Sequence, residues 1–123
     1  MKDRSIDSVK RALLGVKATD VRALLLDAAQ VLQYKWAPQT SAVTSRGFPV
    51  RLCIKEALRE CSALQGQRAW YPAYLLIALC IESGTVSDWE QDPYRNSDDV
   101  LELMKSAREL LNVVDTKQRE FKL

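Results

Sequence analysis

Apolar residues recur along most of this chain at the three- and four-residue spacing of amphipathic helices. The clearest stripe lies in residues 19–32, T-D-V-R-A-L-L-L-D-A-A-Q-V-L, where Thr19 is a candidate N-terminal cap. A shorter stripe precedes it and consists of Ile6, Val9 and Leu13. Ser5 can cap this first helix and Gly15 can end it. The pattern predicts two helices joined by a tight turn.

The helical spacing is lost between residues 36 and 49. Pro38 and Pro49 break helices, and the A-V-T run at residues 42–44 favours an extended chain. We therefore expect a short extended or β-hairpin element between the second and third helices.

A third and a fourth helix are predicted after this irregular segment. The third begins near Val50, ends around Gly66 and carries an apolar stripe. That stripe contains Cys53, Ile54, Ala57, Leu58 and Cys61. The fourth helix is apolar almost all round from Ala73 to Ser83, and Gly84 is its predicted stop. We expect this helix to be the most buried.

A fifth helix follows, capped by Asn96 or Ser97 and favoured by Asp98 and Asp99 at its positive N-terminal end. Its predicted core residues are Val100, Met104, Ala107 and Leu111. We expect a flexible tail after about residue 114. Because no repeat or linker divides the 123 residues, the sequence predicts a mainly α, single compact domain of about five helices over residues 1–123.

Composition excludes much of catalysis. Histidine is absent, which removes the commonest general base and the commonest metal ligand. The three cysteines lie among apolar helical residues without a C-x-x-C pair, as expected for buried, reduced thiols of a cytoplasmic protein. The N-terminus lacks an apolar signal core, and no apolar run is long enough for a membrane span. We expect no catalytic, cofactor-binding or metal-binding residues, and no membrane partner.

The acidic segment before the fifth helix leaves two kinds of site to consider. Asp88 and Asp92 could form a carboxylate pair with Arg95 nearby, which is the basis for an alternative as a small histidine-free enzyme. Several acidic positions also match a calcium-loop template, but Pro93 stands where that loop needs glycine. Specific calcium binding is therefore not expected.

Charge distribution leaves nucleic-acid binding as a second alternative. The net charge is +2, with eleven basic and six acidic residues in positions 1–60 and seven basic and ten acidic residues in positions 61–123. The first two helices also have the spacing of a helix-turn-helix. The outward positions of the second helix carry one cation, Arg22, against two anions, Asp20 and Asp27, which is a poor surface for DNA.

Aromatic and charged residues in the two irregular segments are candidates for contact with a partner. Such residues can anchor a loop on the core or project as binding hot spots. The candidates are Trp36, Arg46, Trp89, Asp92, Tyr94 and Arg95. The predicted partner is a protein, and a second copy of this chain is one candidate.

Four segments together resemble an uncharacterised domain family of unknown function found in bacteria and phages. They are residues 19–32, Trp36, residues 51–61 (R-L-C-I-K-E-A-L-R-E-C) and residues 88–104 (D-W-E-Q-D-P-Y-R-N-S-D-D-V-L-E-L-M). The last segment is similar to the family pattern W-N-D-x-P-x-R-T-x-x-D-V-L. Glu90-Gln91 departs from it, and Glu56 stands where the family tends to have glycine.

The resemblance covers residues 19–112 and implies no known activity. It implies that the segment from Trp89 to Arg95 is a shared family feature, and that the protein is a phage or prophage accessory protein that modulates a host process. Together with the composition, it leads us to expect a small soluble binding or adaptor protein. The alternatives are a DNA-binding regulator acting through the basic N-terminal helices and the small enzyme.

Overall fold

In the part of the chain that the structure describes, six α-helices and one short 3-10 helix pack around a common apolar core. The computed structural model describes residues 6–36, 52–65, 67–81 and 84–121. The α-helices are α1 (Ile6–Ala12), α2 (Ala18–Lys35), α3 (Ile54–Gln65), α4 (Trp70–Leu79), α5 (Val86–Glu90) and α6 (Ser97–Phe121). The 3-10 helix spans Gln67–Ala69. The predicted mainly α fold is confirmed. Within these residues, no helix is both long and apolar enough to cross a bilayer.

Helix α2 lies at the centre of the packing and contacts α3, α4 and α6. Its predicted stripe is confirmed, since Val21, Leu24, Leu25, Ala28 and Leu32 are buried. The predicted cap is wrong. The helix begins at Ala18 after an extended Lys17, whose carbonyl accepts the N–H groups of Asp20 and Val21, so Thr19 already lies in the first turn.

Helix α1 covers one end of the core with Val9 and Leu13, which are buried as predicted. Ile6 was expected on the same face, but it lies at the start of the helix and is 37% exposed. Gly15 adopts φ of +77° in the turn to α2, a conformation that favours glycine. The predicted tight turn is confirmed.

Helix α4 is the most apolar element and is buried on most sides, as expected. Pro72 lies buried in its first turn, where a missing N–H costs nothing. The helix ends at Leu79, earlier than the predicted Ser83. Gly84 does have a positive φ of +82°, but it precedes the Thr85 cap of α5 and does not end α4.

Helix α3 begins at Ile54, later than the predicted start near Val50. Ile54, Ala57, Leu58 and Cys61 are buried as predicted, whereas Cys53 precedes the helix and is half-buried. Just before α3, the Leu52 N–H donates to the carbonyl of Lys35 (2.7 Å), and Trp36 and Leu52 form an isolated parallel β-bridge. The predicted hairpin lies outside the described residues.

Helix α6 closes the core with Val100, Met104, Ala107 and Leu111, all of them fully buried as predicted. The Arg22 guanidinium of α2 donates to Asn112 Oδ1 of α6 (2.7 Å), which joins the two long helices at the surface. The chain continues as helix beyond Val114 to Phe121. The flexibility that we expected for this end stays a prediction.

Candidate functional site

The segment between α4 and α6 contains a short helix that the sequence pattern did not predict. Thr85 Oγ1 accepts the N–H of Asp88 (3.0 Å) and so caps α5. The helix ends at Glu90, and the N–H of the next residue, Gln91, donates to the carbonyl of Ser87 (3.1 Å). We call residues 85–99 the α5–α6 junction. The expected acidic loop is thus replaced, in its first half, by an ordered helical turn.

The second half of the junction is a turn fixed by its own polar groups. The Tyr94 N–H donates to Asp92 Oδ1 (2.9 Å), and the Arg95 N–H donates to the carbonyl of Asp92 (3.0 Å). At the start of α6, Asn96 Oδ1 accepts the N–H of Asp99 (3.0 Å), and Asp99 Oδ2 accepts the N–H of Asn96 (3.1 Å). This reciprocal capping confirms Asn96 as the predicted cap. The backbone around Tyr94 is therefore held on both sides.

The Arg95 side chain folds back over Trp89. Its Cζ lies 4.0 Å from the centroid of the indole ring, and its Nε donates to the Trp89 carbonyl (3.0 Å). A cation in this position is attracted by the negative face of the ring. Trp89 is half-buried and packs against the core. Trp89 therefore fixes the junction to the core, and Arg95 holds the turn onto Trp89.

The most unusual group of the junction is the carboxyl of Glu90, which is only 2% exposed. Its Oε2 accepts two hydrogen bonds, from the indole Nε1 of Trp36 (2.9 Å) and from the backbone N–H of Ile54 (2.9 Å). Trp36 follows the end of α2, and Ile54 is the first residue of α3. One carboxyl oxygen thus joins α5 to the C-terminal end of α2 and to the positive N-terminal end of α3.

Burial raises the pKa of Glu90 from its ordinary value of 4.5 to about 7. The hydrogen bonds from Ile54 and Trp36 act in the opposite direction, because both stabilise the charged form. Desolvation is the larger effect, so near neutral pH the carboxyl exists in both protonation states. A group of this kind can take up or release a proton, and it also links three helices.

Sequence reasoning missed Glu90. Its two donors lie 54 and 36 residues away along the chain, so no local pattern brings them together. The only nearby signal is that Glu90 follows Trp89, a residue type that favours burial. A carboxylate in an acidic segment more often remains in solvent.

The predicted partner-binding residues divide into two groups. Trp36, Trp89 and Arg95 are half-buried and make the internal contacts described above. Asp92 and Tyr94 face solvent, and Tyr94 is 89% exposed. Arg46 lies outside the described residues. The structure therefore brings Trp89, Asp92, Tyr94 and Arg95 together in one turn and connects Trp36 to that turn through Glu90.

The residues behind the alternative functions have structural contacts of their own. Arg22 is engaged with Asn112, and the Asp92 and Arg95 side chains both bind the backbone of their own turn. Asp88 is exposed on α5. In the described part of the chain, no three or more Cys, Asp or Glu side chains form a group that could hold a metal ion. The DNA-binding and enzymatic alternatives stay predictions.

The chain matches no protein-family model, no curated protein and no solved structure. Its function must therefore be inferred from the α5–α6 junction itself. There, Trp89 and Glu90 attach the junction to the core, Arg95 holds the turn onto Trp89, and Asp92 and Tyr94 are exposed to solvent.

Proposed function

We propose that the protein is a cytoplasmic binding module that recognises another protein through the exposed side of the α5–α6 junction. The observation that supports this proposal best is Tyr94, whose side chain is 89% exposed on a turn with a fixed backbone. Tyrosine is enriched among the residues that dominate binding energy, because it buries a large area and has few rotatable bonds. An aromatic ring left in solvent at a rigid position suits this role.

The rigidity of the turn favours binding because association otherwise has to order flexible loops. Asp92 and Arg95 hold the backbone on either side of Tyr94, and the Asn96–Asp99 capping pair fixes the start of α6. A partner therefore meets a preformed surface. Truncating a central aromatic at such a surface typically costs about 2 kcal/mol or more, which is roughly a thirtyfold loss of affinity.

A pull-down with a matched pair of variants tests the proposal. Tyr94→Ala removes the exposed ring from the junction, and Tyr34→Ala removes a ring of similar exposure (82%) from α2 as the control. Tagged wild type and both variants are incubated with bacterial lysate, with and without nuclease, after circular dichroism has shown that all three are folded. We expect a nuclease-resistant protein that is captured by wild type and Tyr34→Ala and lost with Tyr94→Ala.

Three other outcomes would contradict the proposal. Capture that disappears with nuclease would favour the nucleic-acid alternative, and equal capture by both variants would remove the junction from the interface. The absence of any captured protein would argue against a binding role. The resemblance to a bacterial and phage family is the reason for using bacterial lysate, and it leads us to propose a phage or prophage accessory role in which the partner is a host protein.

A further inference from the structure

Helix α5 is attached to the rest of the domain through three of its five side chains. Val86 and Glu90 are buried, and the half-buried Trp89 packs against the core. The other two, Ser87 and Asp88, are exposed. A helix of five residues is too short to be stable without such support. If these contacts are lost, α5 should therefore lose its backbone hydrogen bonds as well.

The polar part of this attachment is the Glu90 carboxyl. Its Oε2 accepts the indole N–H of Trp36 and the backbone N–H of Ile54, both at 2.9 Å, and both donors are neutral. Burial removes the water that solvates a carboxylate, and two neutral donors replace only part of that solvation. An ionised Glu90 would therefore gain free energy if α5 moved away and let water reach the carboxylate.

The charged groups near these contacts do not neutralise the carboxyl. The titratable side chains next to the contacts along the chain are Lys35, Cys53, Lys55, Glu56, Asp88, Asp92 and Arg95. Lys35 and Lys55 face solvent, and the Arg95 guanidinium lies over Trp89. Among the described residues, no lysine or arginine forms an ion pair with Glu90. The positive N-terminal end of α3 offsets only part of a negative charge placed there.

We propose that Glu90 controls, by its protonation, how firmly the α5–α6 junction is held against α2 and α3. With the proton bound, the junction stays attached. Once the carboxyl is ionised, the junction detaches more often while the long helices remain folded, as small elements at the surface of a domain commonly do. The pKa of about 7 supports this inference, because it places the change near neutral pH.

Detachment would also affect the turn that presents Tyr94, which follows α5 directly. The turn would then be connected to the domain through α6 alone, and its position would be less fixed. On the basis of the proposed function, partner binding should weaken as the pH rises through neutrality. This consequence rests on the proposed function, whereas the detachment itself does not.

Amide hydrogen exchange followed by NMR tests the proposal on the full chain without a partner. The Ile54 N–H loses its carboxyl acceptor when the junction detaches, and the Gln91 N–H loses its bond to Ser87. The N–H groups in the middle of α2, around Leu25, report the opening of the whole domain. Each exchange rate is divided by that of an unstructured chain at the same pH, which gives a protection factor.

Wild type is compared with Glu90→Gln, in which the side chain can accept the same hydrogen bonds but does not ionise. Glu102→Gln, which removes an exposed carboxyl from α6, is the matched control. In wild type, the Ile54 and Gln91 amides should be less protected than those of α2. Their protection should fall about tenfold between about pH 6 and about pH 8, because the proton is held with a pKa of about 7 when the junction is attached and with the ordinary value of 4.5 when it is detached.

Protection in Glu90→Gln should stay nearly constant over this range, and Glu102→Gln should behave as wild type does. Equal protection of Ile54 and the middle of α2 would overturn the proposal, because the junction would then open only when the whole domain unfolds. So would a fall that persists in Glu90→Gln, or the absence of a fall in wild type. The wild-type series is decisive even if the variant does not fold. Because no partner is present, each result is independent of whether Tyr94 binds a protein.

Discussion

Replacing Glu90 with glutamine is expected to remove a pH dependence of stability that the wild-type carboxyl creates. Glutamine has nearly the same shape, and its Oε1 can accept hydrogen bonds from the same two donors, the Trp36 indole and the Ile54 N–H. It has no proton to release in this pH range. The substitution therefore removes titration while it keeps the packing and the hydrogen bonds.

The direction of this pH dependence follows from which state, folded or unfolded, binds the Glu90 proton more tightly. The folded protein holds the Glu90 proton with a pKa of about 7, whereas the ordinary value of 4.5 applies to the unfolded chain. The stability that this group contributes is fully present below the pKa that Glu90 has in the unfolded chain. It is lost as the pH rises through the pKa that Glu90 has in the folded protein. The free energy of unfolding of wild type should fall, relative to Glu90→Gln, by about 2.5 kcal/mol between about pH 5 and about pH 8.

Urea unfolding, followed by far-ultraviolet circular dichroism, measures this difference at several pH values between these limits. Because other carboxyl groups titrate in both proteins, only the difference between wild type and variant reports Glu90. Glu102→Gln, which removes an exposed carboxyl from α6, is the control for the loss of one negative charge. The difference in the free energy of unfolding between wild type and Glu90→Gln should therefore change with pH. If it stays constant, or changes in the opposite direction, the idea that burial dominates the protonation of this carboxyl is refuted.

Three smaller predictions concern the contacts around this carboxyl and the turns of the fold. Trp36→Phe keeps a ring but removes the indole donor to Glu90, and should lower the free energy of unfolding by about 2 kcal/mol at pH 8 and by less at pH 5; an equal loss at both pH values would contradict this. Asn96→Ala removes the cap of α6 and should lower the free energy of unfolding, measured with urea, by about 1 kcal/mol. Asn112→Asp is its control: it retains the Oδ1 acceptor for Arg22 and should unfold with nearly the free energy of wild type. Gly15→Ala should lower the free energy of unfolding by about 1 kcal/mol. The cause is the backbone angle φ of +77° and not a steric clash, because a Cβ at this position meets no atom within 4 Å. A thermal unfolding midpoint equal to that of wild type would show that the turn adapts.

The elements that the sequence predicted well depend on local patterns. The stripe of α2 and the capped start of α6 each follow from residues a few positions apart, and both are observed. Gly84 shows a limit of such local patterns. It was predicted to end α4, but α4 ends at Leu79, and the positive φ of Gly84 lies at the entry into α5. The residue type predicts the backbone angle and does not identify the helix that needs it.

The features that the sequence did not predict depend on distant partners or on very short elements. With five residues, α5 is too short to show a helical period. The burial of Glu90 depends on Trp36 and Ile54, which the packing of α2 and α3 brings to it. Trp36 and Trp89 were named from the sequence as candidates for a partner contact, and the packing places both against the core.

The contact between the end of α2 and the start of α3 has a consequence for how this domain can vary. The Leu52 N–H donates to the Lys35 carbonyl at 2.7 Å, so the end of α2 and the chain just before α3 are held together. A peptide inserted between two such closed ends adds only a slowly growing entropic cost as it lengthens. The separation of these two ends is therefore set by the Lys35–Leu52 hydrogen bond, and a change in the length of the chain between them alters the closure entropy only slowly.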